Sequence, residues 1–236
     1  DLLAEGYLQL NYLPDHLKAI KQSRKYNPNK KIADALYYAQ LANYYHYMLI
    51  TDSTVYNSMI AKELLNKNIR YGDSTSIARI YGYFGNCSRN YEGWMNKTTF
   101  LEHDNPITRN QAIHSFLDSG LYYANDNYWK FDILHKIATM YLTCATVPFP
   151  EDLDTLNPWC FDVACYYYDE ALKLTNSNVK RARALSLKAL GYTSLKEYAK
   201  AEYLFQQGYN LLTSKGSVEF HYQFLINQKW RSKNFE

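Results

Sequence analysis

Apolar residues recur at intervals of three and four along almost the whole chain, which is the spacing of helices that bury one face. Only 9 Gly and 6 Pro interrupt the 236 residues, whereas an all-β domain needs turn residues every few positions. The pattern therefore predicts an all-α fold of about twelve helices that pair as antiparallel hairpins. The predicted helices lie near residues 2–13, 15–26, 32–49, 54–65, 75–88, 91–103, 107–124, 129–145, 159–174, 179–194, 198–213 and 217–229.

The longest irregular segment, 146–158, carries three prolines and three acidic residues. Such a composition favours an inserted loop or a boundary between helices. We therefore expect one helical-repeat domain over 1–236, with an irregular insertion at about 146–158. The chain begins with Asp1 rather than methionine, so we expect either a processed mature chain or, as the favoured alternative, part of a longer protein.

Tyrosine is unusually frequent, with 25 of the 236 residues. This explains why 47% of the residues are hydrophobic although the mean hydropathy is −0.48, since tyrosine combines a large ring with a hydroxyl group. The tyrosines cluster at 37–38, 44–47, 122–123 and 166–168, so their rings occupy more than one helix face. We expect some of them to lie in the core stripe of their helix and the remainder to pack between neighbouring hairpins. The alternative is a tyrosine-lined surface that binds a peptide or a sugar.

The charge of the chain is mild, at +3 with a pI near 8.5, and predicts no nucleic-acid partner. One stretch is basic without any acid, and it contains Lys18, Lys21, Arg24, Lys25, Lys30 and Lys31. A solvated helix end and loop is the favoured interpretation, with a phosphate-binding patch as the alternative. No apolar run approaches the length of a membrane span.

Motifs of catalysis are missing from the sequence, which has no glycine-rich phosphate loop, G-x-S-x-G or H-E-x-x-H motif. The triplet 102–104, Glu-His-Asp, is expected to end a helix, and the acids Glu151, Asp152 and Asp154 to form an exposed loop without metal. Cys87, Cys144, Cys160 and Cys165 lack metal-ligand spacing and are expected to be buried free thiols. We therefore predict no enzyme, no catalytic residue, no metal and no cofactor. An enzyme that uses 146–158 as a lid is a remaining third class.

Small and large residues alternate at helix-hairpin spacing in four stretches. Two stretches show it well: Leu185, Ala189, Tyr192, Tyr198, Ala201, Phe205 and Gly208; and Tyr38, Leu41, Ala42, Tyr45 and Ala61. Two show it weakly: Tyr81, Gly82, Asn90, Tyr91 and Leu101; and Ala164, Tyr168 and Ala171. The pattern resembles the tetratricopeptide repeat, with departures at Lys188 and Trp94. The resemblance implies an α-solenoid, a right-handed superhelical array of helix hairpins.

The resemblance also implies a concave surface lined by the first helix of each hairpin. The residues at the inward positions are Asn43, His46 and Tyr47; Arg79, Tyr83 and Asn86; and Arg183, Leu190 and Thr193. Asparagine can pair with a peptide backbone, and arginine can bind a carboxylate through two hydrogen bonds. The predicted function is thus a non-catalytic scaffold that binds a protein or peptide, as the sensing part of a larger regulatory protein.

In its richness in Tyr, Lys and Asn the chain resembles sensor portions of bacterial signalling proteins. It also resembles bacterial surface lipoproteins that capture glycans on helical-repeat frames. These resemblances favour the bacterial periplasm or cell surface over the cytoplasm. The alternative function is therefore a carbohydrate-binding surface protein with exposed rings, for which Trp94, Trp129 and Trp159 are the candidates.

Overall fold

The computed structural model describes residues 13–48, 50–88, 106–146, 158–213 and Gln228. Within these residues the chain forms nine α-helices and one 3-10 turn, Ile69–Tyr71, and no strand. The helices are α1 Leu13–Tyr26, α2 Lys30–Tyr47, α3 Thr51–Asn68, α4 Ser74–Ser88, α5 Pro106–Tyr123, α6 Asn127–Thr146, α7 Pro158–Leu172, α8 Asn178–Ser194 and α9 Tyr198–Leu212. The all-α prediction is confirmed.

Each of the nine helices corresponds to one helix predicted from the sequence, within a few residues at either end. The predicted helix at 91–103 and the insertion over 147–157 lie outside the described residues, as do nearly all of 2–13 and 217–229. The total of about twelve helices and the superhelical arrangement therefore remain predictions.

Side chains at the helix starts explain several boundaries. The carboxylate of Asp73 accepts a hydrogen bond from the Ser76 amide at 2.8 Å, just before α4. Asp126 accepts one from the Trp129 amide at 2.9 Å at the start of α6. These oxygens satisfy amides that have no partner within the first turn of a helix. Between α8 and α9 the chain turns at Lys196, whose φ of 61° lies in the left-handed region.

The contacts divide the chain into two compact units, unit 1 (residues 1–129) and unit 2 (residues 130–236). In unit 1, α2 packs against α1, α3 and α4, and α4 packs against α5. Small residues on one face of α2 let the neighbouring backbones approach, and large side chains fill the space beside them. The core that results contains Ile32, Ala35, Leu36, Ala39, Ala61, Leu65, Ile77, Ile80, Tyr83 and Phe84. That 1–236 forms a single domain stays a prediction.

In unit 2, α8 packs against α9 and α7. Ala189, Ala201 and Phe205 form the centre of the α8–α9 hairpin, with Tyr192 at its edge. These are positions that the repeat pattern marks, and Gly208 is buried as well. Tyr168, from the weaker match, is fully buried, and its hydroxyl lies 3.1 Å from Thr139 Oγ1.

The lysine that departs from the repeat pattern has a clear role in unit 2. Lys188 Nζ on α8 lies 2.7 and 2.8 Å from the two carboxylate oxygens of Asp169 on α7. A leucine at this position would pack against α7, whereas the lysine joins the two helices by a bidentate ion pair. Lys188 therefore still joins α8 to α7, but through an ion pair instead of an apolar contact.

Candidate functional site

The predicted binding residues of unit 1 lie on α2 and α4, which pack against each other. The Asn86 side-chain amide donates to Asn43 Oδ1 at 3.1 Å and so joins the first two predicted triplets. Asn43, His46, Arg79 and Tyr83 are buried, whereas the side chain of Tyr47 is 51% exposed. Most of the predicted set is thus part of the interior of unit 1, and contact with a ligand stays a prediction.

The buried arginine of this set packs against a tryptophan. The Arg79 guanidinium lies 5.1 Å from the centre of the Trp129 ring and 3.4 Å from the Tyr83 hydroxyl. A cation over an aromatic face is attracted to the ring electrons, more strongly where water is excluded. Trp129 is only 8% exposed, so its ring is not a free surface for a sugar, whereas Trp159 is exposed and Trp94 lies outside the described residues.

The predicted residues of unit 2 follow one side of α8. Arg183 is exposed, and Leu190 and Thr193 are partly exposed. The Thr193 hydroxyl donates to the carbonyl oxygen of Ala189 at 3.2 Å, one turn earlier in the helix. These residues are accessible to a partner, and their role in binding stays a prediction.

A cleft of about 250 Å³ opens between α3, α4 and α5 of unit 1. Lys62 and Asn66 lie one turn apart on α3, and Ser115 and Ser119 lie one turn apart on α5. The eight residues that line the cleft in the described part of the chain are Lys62, Leu65, Asn66, Tyr81, Phe84, Ser115, Phe116 and Ser119. The lining therefore combines one cation, amide and hydroxyl groups, and a wall of aromatic rings, with no acidic residue.

The cation of the cleft stands partly out of water. Burial lowers the pKa of Lys62, and its ammonium lies 5.8 Å from the centre of the Phe116 ring. Burial also raises the pKa of Tyr81, with a smaller contribution from Tyr123, whose ring stacks on that of Tyr81 at 6.4 Å. The cleft thus holds a positive charge where the surroundings screen it less than water does.

None of the nine residues predicted from the sequence lines this cleft. Of the eight described lining residues, Tyr81 alone occupies a position of the repeat pattern, in one of the two stretches that match it weakly. Lys62 with Asn66, and Ser115 with Ser119, have the spacing of ordinary solvent-facing helix positions. Only the packing of α5 beside α3 and α4 turns these positions into one site, and the sequence holds no signal for that packing.

No protein-family model, curated protein or solved structure matches this chain. In the described ranges no group of three or more His, Cys, Asp or Glu side chains is placed to hold a metal ion. None of the described helices has both the length and the apolar character of a membrane span. Both acidic segments that the sequence singles out, 102–104 and 151–154, fall outside the described residues.

Among the described residues, Cys87, Cys160 and Cys165 form no disulfide. Cys87 and Cys160 are buried and Cys165 is partly buried, which agrees with the expectation of buried free thiols for the first two. Burial is the main cause that raises the pKa of Cys165 to about 11, so this thiol is protonated and poorly nucleophilic at neutral pH. The side chain of Cys144 lies outside the described residues.

Proposed function

We propose that this protein is a non-catalytic binding scaffold of tetratricopeptide-like hairpins, and that unit 1 binds a peptide with an acidic group in the α3–α4–α5 cleft. The observation that carries the proposal is the position of Lys62. Its ammonium is partly withdrawn from water beside an aromatic wall, and no lining residue is acidic.

A carboxylate beside an apolar side chain matches the charge, the hydrogen-bond donors and the apolar surface of this cleft. The attraction between Lys62 and a carboxylate is stronger here than at a fully solvated lysine, since the local dielectric constant is lower. The side-chain amide of Asn66 offers hydrogen-bond donors beside the ammonium, whereas the Ser119 hydroxyl already donates to the Ser115 carbonyl oxygen at 3.0 Å. Leu65, Phe84 and Phe116 supply apolar surface for a neighbouring side chain of the peptide.

The size of the cleft favours a peptide anchor over a large cofactor. Sites for drug-sized ligands enclose roughly 300–1,000 Å³, and this cleft holds about 250 Å³. One acidic group with an adjoining apolar side chain fits such a space. A role as the sensing part of a larger bacterial regulatory protein is part of the same proposal and follows from the repeat resemblance.

The test is selection of peptides on the purified chain from a random library displayed with free carboxyl termini. The selected peptide is then measured by fluorescence polarisation, both with its carboxylates intact and with every carboxylate replaced by an amide. We expect Lys62→Met and the amide peptide each to weaken binding by about tenfold or more. Lys67→Met is the matched control, because Lys67 lies on the same helix in an exposed ion pair with Glu63.

The proposal fails if no peptide is enriched over an unrelated protein, or if Lys62→Met binds the selected peptide as tightly as the unmodified chain. Circular dichroism of each variant establishes that the helices persist. Because Lys62 is partly desolvated, its replacement by Met is not expected to unfold the unit.

A further inference from the structure

An exposed row of side chains runs along α7 in unit 2, at intervals of three and four residues. It consists of Trp159, Asp162, Tyr166, Asp169 and Lys173. The two rings are 48% and 59% exposed, for Trp159 and Tyr166 respectively. They are seven residues apart, which places them on the same helix face at a separation of about 10 Å. Exposed rings at this spacing are more than scattered surface apolar residues.

A second layer of aromatic rings holds the two exposed ones in place. Tyr141 on α6 is buried and meets the Trp159 ring edge-on, with the centres 5.9 Å apart. It also stacks on Tyr167 at 6.4 Å and 3°. Tyr167 in turn meets Tyr166 edge-on at 5.2 Å. The exposed rings are therefore ordered before any ligand arrives, which lowers the entropic cost of binding.

The charges of this face are largely neutralised within unit 2. Asp169 is bound by Lys188 through two hydrogen bonds of 2.7 and 2.8 Å. Lys173 pairs with Glu170. Asp162 lies between the two rings and forms no ion pair with any described residue. The face thus presents two flat rings with one available carboxylate between them and little net charge.

We infer that the Trp159–Tyr166 face of α7 binds a neutral glycan. Sugar rings offer flat faces of C–H groups that stack on aromatic rings, and hydroxyl groups at their edges. Those hydroxyls can donate to the Asp162 carboxylate and exchange hydrogen bonds with the Tyr166 hydroxyl. The inference is independent of the peptide proposal, because it concerns another unit and other residues.

Three other kinds of partner fit this face less well. A partner helix needs a continuous apolar stripe, whereas here a carboxylate follows each ring within one turn of α7. A basic peptide needs several acids that are free to pair with it, whereas Asp169 and Glu170 are already paired within the unit, which leaves Asp162 alone. An anionic polymer would be repelled by the negative charge of the Asp162 carboxylate.

The test is affinity electrophoresis of the whole chain in native gels that contain amylose, β-1,3-glucan, xylan or galactomannan. We expect at least one of these neutral polysaccharides to slow the unmodified chain. Trp159→Ala and Tyr166→Ala are each expected to weaken the retardation by about tenfold. Tyr203→Ala is the matched control, since Tyr203 is an exposed tyrosine on α9 of the same unit. Lys62→Met should leave the retardation unchanged.

The inference is overturned if none of the four polysaccharides slows the chain, or if both ring variants are slowed as much as the unmodified chain. It is also overturned if a hexapeptide of alternating Lys and Arg binds and Trp159→Ala removes that binding, because the face would then select cations. Should Trp159→Ala lose helical circular dichroism, Tyr166→Ala decides the matter, since that ring is the more exposed of the two.

Discussion

The two units bury different kinds of side chain. Among the described residues, buried polar or charged side chains are more numerous in unit 1 than in unit 2. They are His16, Gln40, Asn43, His46, Thr54, Asn57, Ser58, Ser76 and Arg79 in unit 1, and His135, Lys136, Thr139 and Ser186 in unit 2. The interior of unit 1 is therefore the more polar of the two, and unit 2 depends more on the fit between apolar shapes.

The buried polar groups of unit 2 have short-range partners. Lys136 pairs with Asp132, and the hydroxyl groups of Thr139 and Ser186 each donate to a carbonyl oxygen one turn earlier, at 2.7 Å. In unit 1, by contrast, neither the Gln40 amide nor the Ser58 hydroxyl has a hydrogen-bond partner. An unpaired buried amide lowers stability. Unit 2 has such an atom as well, Arg181 Nε, so the two units differ in degree, and unpaired polar groups lower the stability of unit 1 more than that of unit 2.

The largest expected effect concerns two glycines at close helix contacts. A Cβ atom on Gly191 would lie 2.0 Å from Phe161 Cε2 and 2.8 Å from Leu142 Cδ1, whereas the three atoms nearest to one on Gly85 all belong to Leu117. A single leucine can move more easily than a ring with a second neighbour. We expect Gly191→Ala to lower the free energy of unfolding by about 2 kcal/mol, and Gly85→Ala to lower it by less, measured by urea denaturation.

The double variant Gly191→Ala with Phe161→Leu tests the cause of this loss. Because the smaller side chain leaves room for the new methyl group, the double variant should lose less stability than the two single changes added together. A Gly191→Ala chain that is as stable as the unmodified one would show that unit 2 does not depend on a close fit at this point.

The second prediction compares two buried amide side chains inside unit 1, Gln40 and Asn43. Gln40→Met removes an unpaired buried amide and should leave the free energy of unfolding unchanged or raise it by about 1 kcal/mol. Asn43→Ala removes the acceptor of the Asn86 amide and should lower it by about 1 kcal/mol. Chemical denaturation measures the stability of both variants. The control is Gln22→Met, because Gln22 is an exposed residue on α1. Equal losses in the two variants would mean that the Gln40 amide is stabilising after all.

The smallest effect is a dependence on pH in unit 1. Burial lowers the pKa of His114, although Asp118 Oδ1, 3.2 Å from its Nε2, acts in the opposite direction. The unfolded chain therefore takes up this proton first, so the stability is fully present above the ordinary histidine pKa of about 6.5 and declines as the pH falls below it. We expect His114→Gln to remove this part of the decline between pH 7 and pH 5. An unchanged slope in the denaturation midpoints would contradict the prediction.

The helices themselves could be predicted from the sequence. The predicted segments 179–194 and 198–213 match α8 Asn178–Ser194 and α9 Tyr198–Leu212 almost residue for residue. The core positions Ala189, Ala201 and Phe205 also follow from the repeat pattern. Both results depend on spacing within one helix or one hairpin, and such local patterns are present in the sequence itself.

The candidate site could not be predicted in the same way. Lys62, Ser115 and Tyr81 come from three helices, and their positions along the chain do not indicate a shared cleft. The sequence places Arg79 at a binding surface and makes Trp129 a candidate for sugar binding. In the fold, both residues are buried and pack against each other. A periodic pattern says which face of a helix is apolar, but not which helix will cover it.

The sequence was sufficient to predict that the described part of this chain is helical, where those helices begin and end to within a few residues, and which small residues bring α8 and α9 together. These properties depend on hydrogen bonds and side chains within a few turns of one another. The position of Lys62 in a cleft, the burial of Trp129 and the exposure of Trp159 become visible only in the packed fold. Exposure and electrostatic environment arise from contacts between residues far apart in the chain, so they exist only once the helices have packed.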